Sequence, residues 1–159
     1  MMAQTHSYSA QVTWTGASQG PTVSYQSYSR EYLVEIAGKA PVRGSADASF
    51  RGDPALHNPE DLLVVSLATC HMLSYLADCA RTGIKVVSYE DKATGTMAMK
   101  DKRIRFTGVS LHPRVTIAEG GDIAKATLLH DQAAEECFIA NSVNFPVHHE
   151  AIVKHAVAE

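Results

Sequence analysis

The sequence contains no pair of cysteines at metal-binding spacing. Its three thiols are Cys70, Cys79 and Cys137. Structural zinc sites usually draw cysteines from pairs separated by about two to four residues, and no two of these thiols form such a pair. We therefore expect neither a metal nor a tightly bound cofactor.

A secretory signal is also missing, because no basic segment followed by an apolar run opens the sequence. We expect a cytoplasmic protein, a setting in which thiols remain reduced and structural disulfides are rare. The basic residues form no dense run, and the formal net charge is −3. These features give no reason to expect nucleic acid or an acidic membrane surface as a partner.

The composition is typical of a globular protein. Of the 159 residues, 45% are hydrophobic and 19% are charged, which excludes a wholly disordered chain. A chain of this length can bury a core without disulfide bridges. We predict a single domain over residues 1–159.

The longest apolar segment, residues 58–83, predicts a central helix. Asn58 is a favourable N-cap, Pro59 suits the first helical position, and Gly83 is a natural end. Apolar residues occupy nearly every face of this helix, which predicts that protein surrounds it. Its internal polar side chains and the lack of flanking basic residues argue against a membrane span.

Alternation of apolar and polar residues predicts strands on both sides of this helix. The predicted elements are strands at 8–14, within 23–36 and at 45–50, an antiparallel pair of 84–99 with 103–117, a second helix from Asp122 to 141–146, and a last strand at 147–157. Strands and helices in this order predict an α+β fold.

The residues alone do not separate the three cysteines. Cys70 lies in the middle of the central helix, and Cys137 lies on the apolar face of the second helix. Cysteine is among the most buried residue types and often packs as a small hydrophobic side chain. Cys79 has the same environment as Cys70, so both packing and chemistry stay open for all three thiols.

Two motifs resemble those of a known family. The segment NPEDLL at 58–63, followed by Cys70, is similar to the first cysteine signature of the OsmC/Ohr family of osmotically inducible and organic hydroperoxide resistance proteins. The segment AEEC, ending at Cys137 and followed by Asn141 and Val143, resembles the family's second cysteine motif. The resemblance covers nearly the whole chain. It implies the OsmC-like fold, in which antiparallel sheets wrap around long central helices in an intertwined homodimer.

The resemblance also implies a thiol-dependent peroxidase for alkyl or fatty-acyl hydroperoxides. In the family the first cysteine becomes a sulfenic acid and the second captures it as a disulfide. Cys70 would then be the peroxidatic residue and Cys137 the resolving one. An external dithiol, often a lipoyl group on a protein, would reduce the disulfide.

A cation is expected beside Cys70, because burial in apolar surroundings raises the pKa of a thiol. The family supplies an arginine, held by the glutamate of the NPE motif, which corresponds to Glu60. Without the resemblance, Glu60 is equally well explained as a first-turn acid that favours the helix dipole. For the arginine we prefer Arg51, and Arg30 is the alternative.

The spacing of Glu60 and Cys70 predicts a dimer. Ten residues of straight helix separate them by about 15 Å. They cannot meet within one chain unless the helix bends or a long side chain bridges them. A homodimer in which each subunit completes the other's site is the simplest solution, and it agrees with the intertwined dimers of the family.

Four histidines lie near these motifs. His71 and His57 could each favour a thiolate at Cys70 or donate a hydrogen bond to it, although a core histidine is the preferred interpretation of His71. His148 and His149 are interpreted as exposed strand residues, since neighbours on a strand point to opposite faces.

A second class of function would use the same fold and thiols without turnover. In this alternative the protein binds a small molecule or senses redox state. Consumption of a hydroperoxide in the presence of a dithiol distinguishes a peroxidase from such a protein.

Overall fold

In the computed structural model, which describes residues 5–157, two helices accompany nine strands arranged in three sheets of three. The helices are α1 (Pro59–Thr82) and α2 (Ile123–Glu136). The strands are β1 (Gln11–Trp14), β2 (Tyr32–Glu35), β3 (Val42–Gly44), β4 (Val86–Asp91), β5 (Thr94–Lys100), β6 (Arg103–Leu111), β7 (Pro113–Ile117), β8 (Val147–His149) and β9 (Ile152–His155). This combination confirms the predicted α+β class.

The chain divides at Leu62 and Leu63 into two compact units, and α1 begins in the first and continues into the second. Each unit is built around its own sheets. The prediction of one domain over residues 1–159 stays a prediction.

The first unit contains one antiparallel sheet, in the order β1, β2, β3. The indole nitrogen of Trp14 donates a hydrogen bond to the Ser29 carbonyl at 2.7 Å, which ties the loop before β2 to the sheet. The predicted strand within 23–36 is therefore confirmed only at its end, because the earlier residues form this loop.

The predicted strand at 45–50 is wrong. The third strand, β3, lies earlier, and residues Ala48–Phe50 form a short 3-10 helix. The Asp47 carboxylate accepts a hydrogen bond from the Ser49 backbone N–H at 2.7 Å. This local bond satisfies the backbone inside a turn, which competes with pairing in a sheet.

The start and end of α1 agree with the prediction from sequence. The Asn58 side chain accepts a hydrogen bond from the Asp61 N–H at 2.7 Å, which satisfies one of the free donors of the first turn. Gly83 follows the helix with a φ of +80°, a conformation that costs glycine little.

The second unit contains two mixed sheets, in the orders β4, β7, β9 and β5, β6, β8. β4 pairs with β7 and β5 pairs with β6, both antiparallel, whereas β8 and β9 each add a parallel strand. The predicted antiparallel pair of 84–99 with 103–117 is thus confirmed, because β5 and β4 of its first arm pair in turn with β6 and β7 of its second arm. Both arms of this pair are interrupted at the same position along their length. There the Asp91 carboxylate of the first arm accepts a hydrogen bond from the His112 N–H of the second arm at 2.7 Å.

Two further boundaries differ from the predictions. Residues 147–157 form two short strands in different sheets, and between them the Glu150 N–H bonds the Leu111 carbonyl at 2.9 Å. Helix α2 ends at Glu136, so Cys137 is its C-cap residue with an extended backbone.

The hairpin turn at Asp101 and Lys102 has two residues with positive φ, which matches the twist of β5 and β6.

One face of α1 is buried and another is exposed, although both are apolar. Leu67, His71 and Tyr75 are buried, whereas Val65 and Leu73 remain 54% and 62% exposed. The helix is long and apolar enough to cross a membrane by length and composition, and 28% of its most apolar 18 residues are buried. The prediction that protein surrounds the helix is therefore wrong for a single chain.

Candidate thiol site

The second unit brings together two of the three cysteines. Cys70 lies in the middle of α1 and Cys137 at the end of α2, and the Cys70 thiol lies close enough to the Cys137 thiol to raise the pKa of Cys137. Both thiols are free. Cys70 is partly exposed, whereas Cys137 is 1% exposed. A reagent from solution therefore reaches Cys70 more readily than Cys137.

The surroundings of Cys137 keep its proton on the sulfur. Burial, together with the neighbouring Cys70 thiol, raises the pKa of Cys137 to about 11. The Ala140 N–H donates a hydrogen bond to the Cys137 sulfur at 3.4 Å, which acts in the opposite direction but does not cancel the effect of burial. Cys137 is thus a neutral thiol near pH 7.

Cys79 is separated from this pair by its packing. It is buried in the core between α1 and α2, together with Tyr75 and Ala126. Burial raises the pKa of Cys79, and the neighbouring Tyr75 hydroxyl offsets part of this rise. The structure therefore distinguishes the thiols, which the residues alone did not.

Glu60 lies in the first turn of α1 within the first unit. One of its carboxylate oxygens is buried and has no hydrogen-bond partner among residues 5–157. Burial raises the pKa of Tyr32, and the negative charge of Glu60 raises it further. Glu60 is therefore a half-buried acid with an oxygen available for a cation, and its role beside a thiol stays a prediction.

The two candidate arginines lie in loops of the first unit. Arg51 is exposed, has a φ of +67°, and donates a hydrogen bond to the Gln26 carbonyl at 3.3 Å. Arg30 donates to the Tyr28 carbonyl at 2.5 Å and to the Tyr25 carbonyl, and its guanidinium lies 3.8 Å from the centre of the Tyr28 ring.

Within the first unit, as far as it is described, neither arginine forms an ion pair with a carboxylate. Arg30 is the more firmly held of the two, because carbonyls and an aromatic ring surround its guanidinium. Arg51 has one long hydrogen bond and more freedom to reach another partner. The choice between them stays open.

A buried histidine cluster adjoins the thiol-bearing helices and was only partly anticipated. His71 on α1 and His130 on α2 are 2% and 1% exposed, and a hydrogen bond of 3.0 Å joins His71 Nε2 to His130 Nδ1. His130 stacks on Tyr75, with ring centres 3.8 Å apart. The interpretation of His71 as a core histidine is thus consistent with its burial.

His130 was missed by the sequence analysis, although a signal existed. It lies on the same helical stripe as Ala126, Ala133 and Cys137, all of which are buried. A histidine in such a stripe must find a buried polar partner. That partner could not be identified before the two helices were placed together.

The other histidines are exposed to different extents. His148 is exposed, as interpreted from sequence. The interpretation of His149 as exposed is wrong: it is partly buried, because its ring lies 5.3 Å from that of His71 and its Nε2 is 3.1 Å from an Asp131 oxygen. His57 is exposed, and its carbonyl accepts a hydrogen bond from Ser45 N–H at 2.9 Å.

Burial keeps the imidazoles of the cluster neutral. Burial and, to a smaller extent, repulsion between neighbouring imidazoles lower the pKa of His71 to about 4 and that of His130 to about 3. Across the described part of the chain, no group of three or more His, Cys, Asp or Glu side chains is arranged to hold a metal ion.

Two cavities flank the α1 segment that carries Cys70. One, of about 360 Å³, is lined by Val64, Val65, Ala68, Thr69, Met72, Tyr89, Asp91, Lys92 and Ala93. The other, of about 530 Å³, is lined by Leu73, Ser74, Ala77, Arg81, Glu135, Glu136, Phe138 and Asn141. The first has mainly apolar walls, whereas the second combines apolar side chains with three charged ones.

Comparisons with known proteins agree with the motifs. The family model described as OsmC-like protein matches residues 52–151. A comparison with curated protein sequences gives no match. The solved structure of an OsmC-like protein of unknown function from Vibrio cholerae is 32% identical, covers 93% of this chain and 100% of its own, and has a TM-score of 0.85.

More distant structures share the fold. An organic hydroperoxide resistance protein from Legionella pneumophila is 17% identical over 96% of this chain and 98% of its own, with a TM-score of 0.67. The organic hydroperoxide resistance protein OhrB of Bacillus subtilis is 19% identical over 91% of this chain and 98% of its own, with a TM-score of 0.63. At these identities the likeness establishes the fold alone.

Proposed function

Because the chain belongs to the OsmC-like protein family, we propose that it is a thiol-dependent peroxidase that reduces organic hydroperoxides. The observation that carries this proposal is the neighbouring pair of Cys70 and Cys137, one partly exposed and one buried. Two-cysteine peroxide chemistry requires such a pair, because the oxidised first thiol must meet a second thiol before it is oxidised further.

The proposed reaction has three steps. The Cys70 thiolate attacks one oxygen of the hydroperoxide, the O–O bond breaks, and the alkoxide takes up a proton to leave as an alcohol. Cys70 becomes a sulfenic acid. Cys137 then attacks the Cys70 sulfur, the S–O bond breaks, and the hydroxide leaves as water with the proton that Cys137 releases. An external dithiol reduces the resulting disulfide and is itself oxidised to a disulfide.

The difference in burial supports the order of the two cysteines. The partly exposed Cys70 can meet a substrate, whereas the raised pKa of Cys137 makes it a poor nucleophile until a sulfenic acid lies beside it. The two thiols are also neighbours, as the formation of a disulfide between them requires. We therefore assign Cys70 as the peroxidatic residue and Cys137 as the resolving one.

The apolar cavity beside Thr69 and Met72 supports an alkyl or acyl hydroperoxide as the substrate. Its volume of about 360 Å³ lies within the usual range for small-molecule sites. Valine, alanine and methionine side chains of α1 form one wall. Such walls favour a hydrocarbon chain over hydrogen peroxide, because burial of apolar surface stabilises only the former.

The uncovered face of α1 supports a homodimer. Val65 and Leu73 would leave water if a second copy packed against this face. In this dimer Glu60 of one copy, with Arg51 or Arg30, would serve Cys70 of the other. Within one unbroken helix Glu60 and Cys70 are about 15 Å apart, so a shared site needs the second copy.

Consumption of cumene hydroperoxide with dihydrolipoamide as the reductant tests the proposal. We expect turnover by the wild type and none by Cys70→Ser. Cys79→Ser is the matched control, since it alters a thiol on the same helix outside the pair, and it should keep the activity. An inactive wild type with every dithiol would overturn the peroxidase and favour the binding or redox-sensing alternative.

A further inference from the structure

The two helices that carry the thiols are also joined by a buried imidazole pair. His71 directly follows Cys70 in α1, and His130 lies seven residues before Cys137, which is about two helical turns along the same face of α2. Their ring nitrogens are 3.0 Å apart. The pair therefore links the residue next to Cys70 to α2, two turns before Cys137, by a directional bond.

The surroundings hold both rings in place. The rings of His71 and His130 lie within 9° of parallel, and Tyr75 stacks on His130 at 10°. The ring of His149 packs against His71 from β8, and Tyr89 of β4 lies 6.5 Å from His130. Within residues 5–157, His130 Nε2 has no hydrogen-bond partner, so the ring is oriented by its single bond to His71.

Disulfide formation requires a defined helix-to-helix position. The two sulfurs must approach to about 2.05 Å with a dihedral angle near 90°, which a small sliding of one helix would prevent. The apolar packing around Ala126 and Ala133 is non-directional, so it does not by itself prevent one helix from sliding along the other. A buried hydrogen bond of fixed geometry does fix the position of one helix relative to the other, because breaking it leaves two polar groups without partners.

We propose that the His71–His130 hydrogen bond positions Cys70 and Cys137 for disulfide formation. The two histidines are positioning residues that never touch the peroxide. The proposal rests on the proposed function for its role in turnover. The step it governs is the attack of Cys137 on the Cys70 sulfenic acid, with loss of water.

Variants with a side-chain amide test the hydrogen bond separately from the other properties of the histidine ring. A glutamine amide can occupy the place of Nε2 in His71→Gln, and an asparagine amide that of Nδ1 in His130→Asn. His71→Leu and His130→Leu remove the bond while filling much of the volume. His130→Phe is a second apolar variant that keeps the stacking on Tyr75, in case the leucine variant does not fold.

Single-turnover oxidation measures the two steps separately. We expect sulfenic acid formation at Cys70 to change by less than about 3-fold in all variants. Disulfide formation should slow by about 10-fold or more in the leucine and phenylalanine variants, because small misplacements of reacting atoms are costly. The glutamine and asparagine variants should stay within about 3-fold of the wild type. His148→Leu, at an exposed neighbouring position, is the control.

Oxidation by diamide keeps this test independent of peroxidase activity, since diamide converts two thiols to a disulfide without a sulfenic acid. The same ranking of variants is expected with diamide even if the wild type consumes no hydroperoxide. Equal rates of disulfide formation in the apolar and amide variants would overturn the proposal. A parallel loss of both steps in single turnover would overturn it as well, because it would indicate a general disturbance of the fold.

Discussion

Cys137, the C-cap residue of α2, lies close enough to Cys70 in the middle of α1 for Cys70 to raise its pKa, and only Cys70 is accessible from outside. The two thiols therefore differ in the partners that can reach them. The exposed sulfur can meet an oxidant, and the buried one can only meet the first sulfur.

Loss of Cys137 should expose Cys70 to further oxidation. In Cys137→Ser we expect one equivalent of hydroperoxide to be reduced, followed by accumulation of sulfinic acid at Cys70, because no second thiol captures the sulfenic acid. Intact-mass measurement after stepwise peroxide addition detects the added oxygens. The assignment of roles would be wrong if Cys70→Ser, rather than Cys137→Ser, accumulated the oxidised sulfur.

Acid should destabilise the fold through the histidine pair. The unfolded chain binds protons at His71 and His130 near pH 6.5, whereas the folded pKa values are about 4 and about 3. Between the unfolded and the folded pKa values, the unfolded state therefore binds more protons than the folded state. The free energy of unfolding should fall as pH decreases from about 6.5 to about 4, by up to about 1.4 kcal/mol per pH unit for each histidine.

Urea unfolding at pH 7 and pH 5 measures this dependence. The double variant His71→Gln/His130→Asn should lose less stability between the two pH values, since neither amide titrates. An identical loss in the wild type and the double variant would show that other groups cause the acid sensitivity.

Removal of the N-cap of α1 should destabilise the protein. Asn58→Ala deletes the acceptor of the Asp61 N–H, and we expect a loss of about 0.5–2 kcal/mol in the free energy of unfolding. Asp122→Ala, which removes the cap of α2 at Lys125 N–H, is a matched variant with a similar expected loss. Exposed Asn144→Ala should change stability by less than about 0.5 kcal/mol.

A charge on the uncovered face of α1 should break the proposed dimer. Leu73→Glu places a carboxylate where a second copy would exclude water, which is costly for an unpaired charge. Light scattering should give a dimer mass for the wild type and a monomer mass for this variant. Val87→Glu, at another exposed apolar residue on β4, is the control and should remain dimeric. A monomeric wild type would contradict the prediction.

Local chemistry made parts of the fold predictable. The bounds of α1 follow from Asn58, Pro59 and Gly83, whose effects act within one helical turn. The turn at Asp101 and Lys102 was predictable because it also depends on residues that are close in sequence. The antiparallel pairing of 84–99 with 103–117 was predicted too, but the break in both arms at Asp91 and His112 was not, because no local pattern reports that two distant residues meet.

The candidate site divides in the same way. The sequence by itself determined that Cys70 sits in a long apolar helix behind a strong cap, and that its motifs resemble those of one family. The resemblance named Cys137 as the partner of Cys70, but only the tertiary structure showed that Cys137 rather than Cys79 lies beside it, and that His71 bonds His130. Helical periodicity assigns a face to each residue, but which residue of another helix meets that face depends on packing, a sum of many weak contacts spread over the whole core.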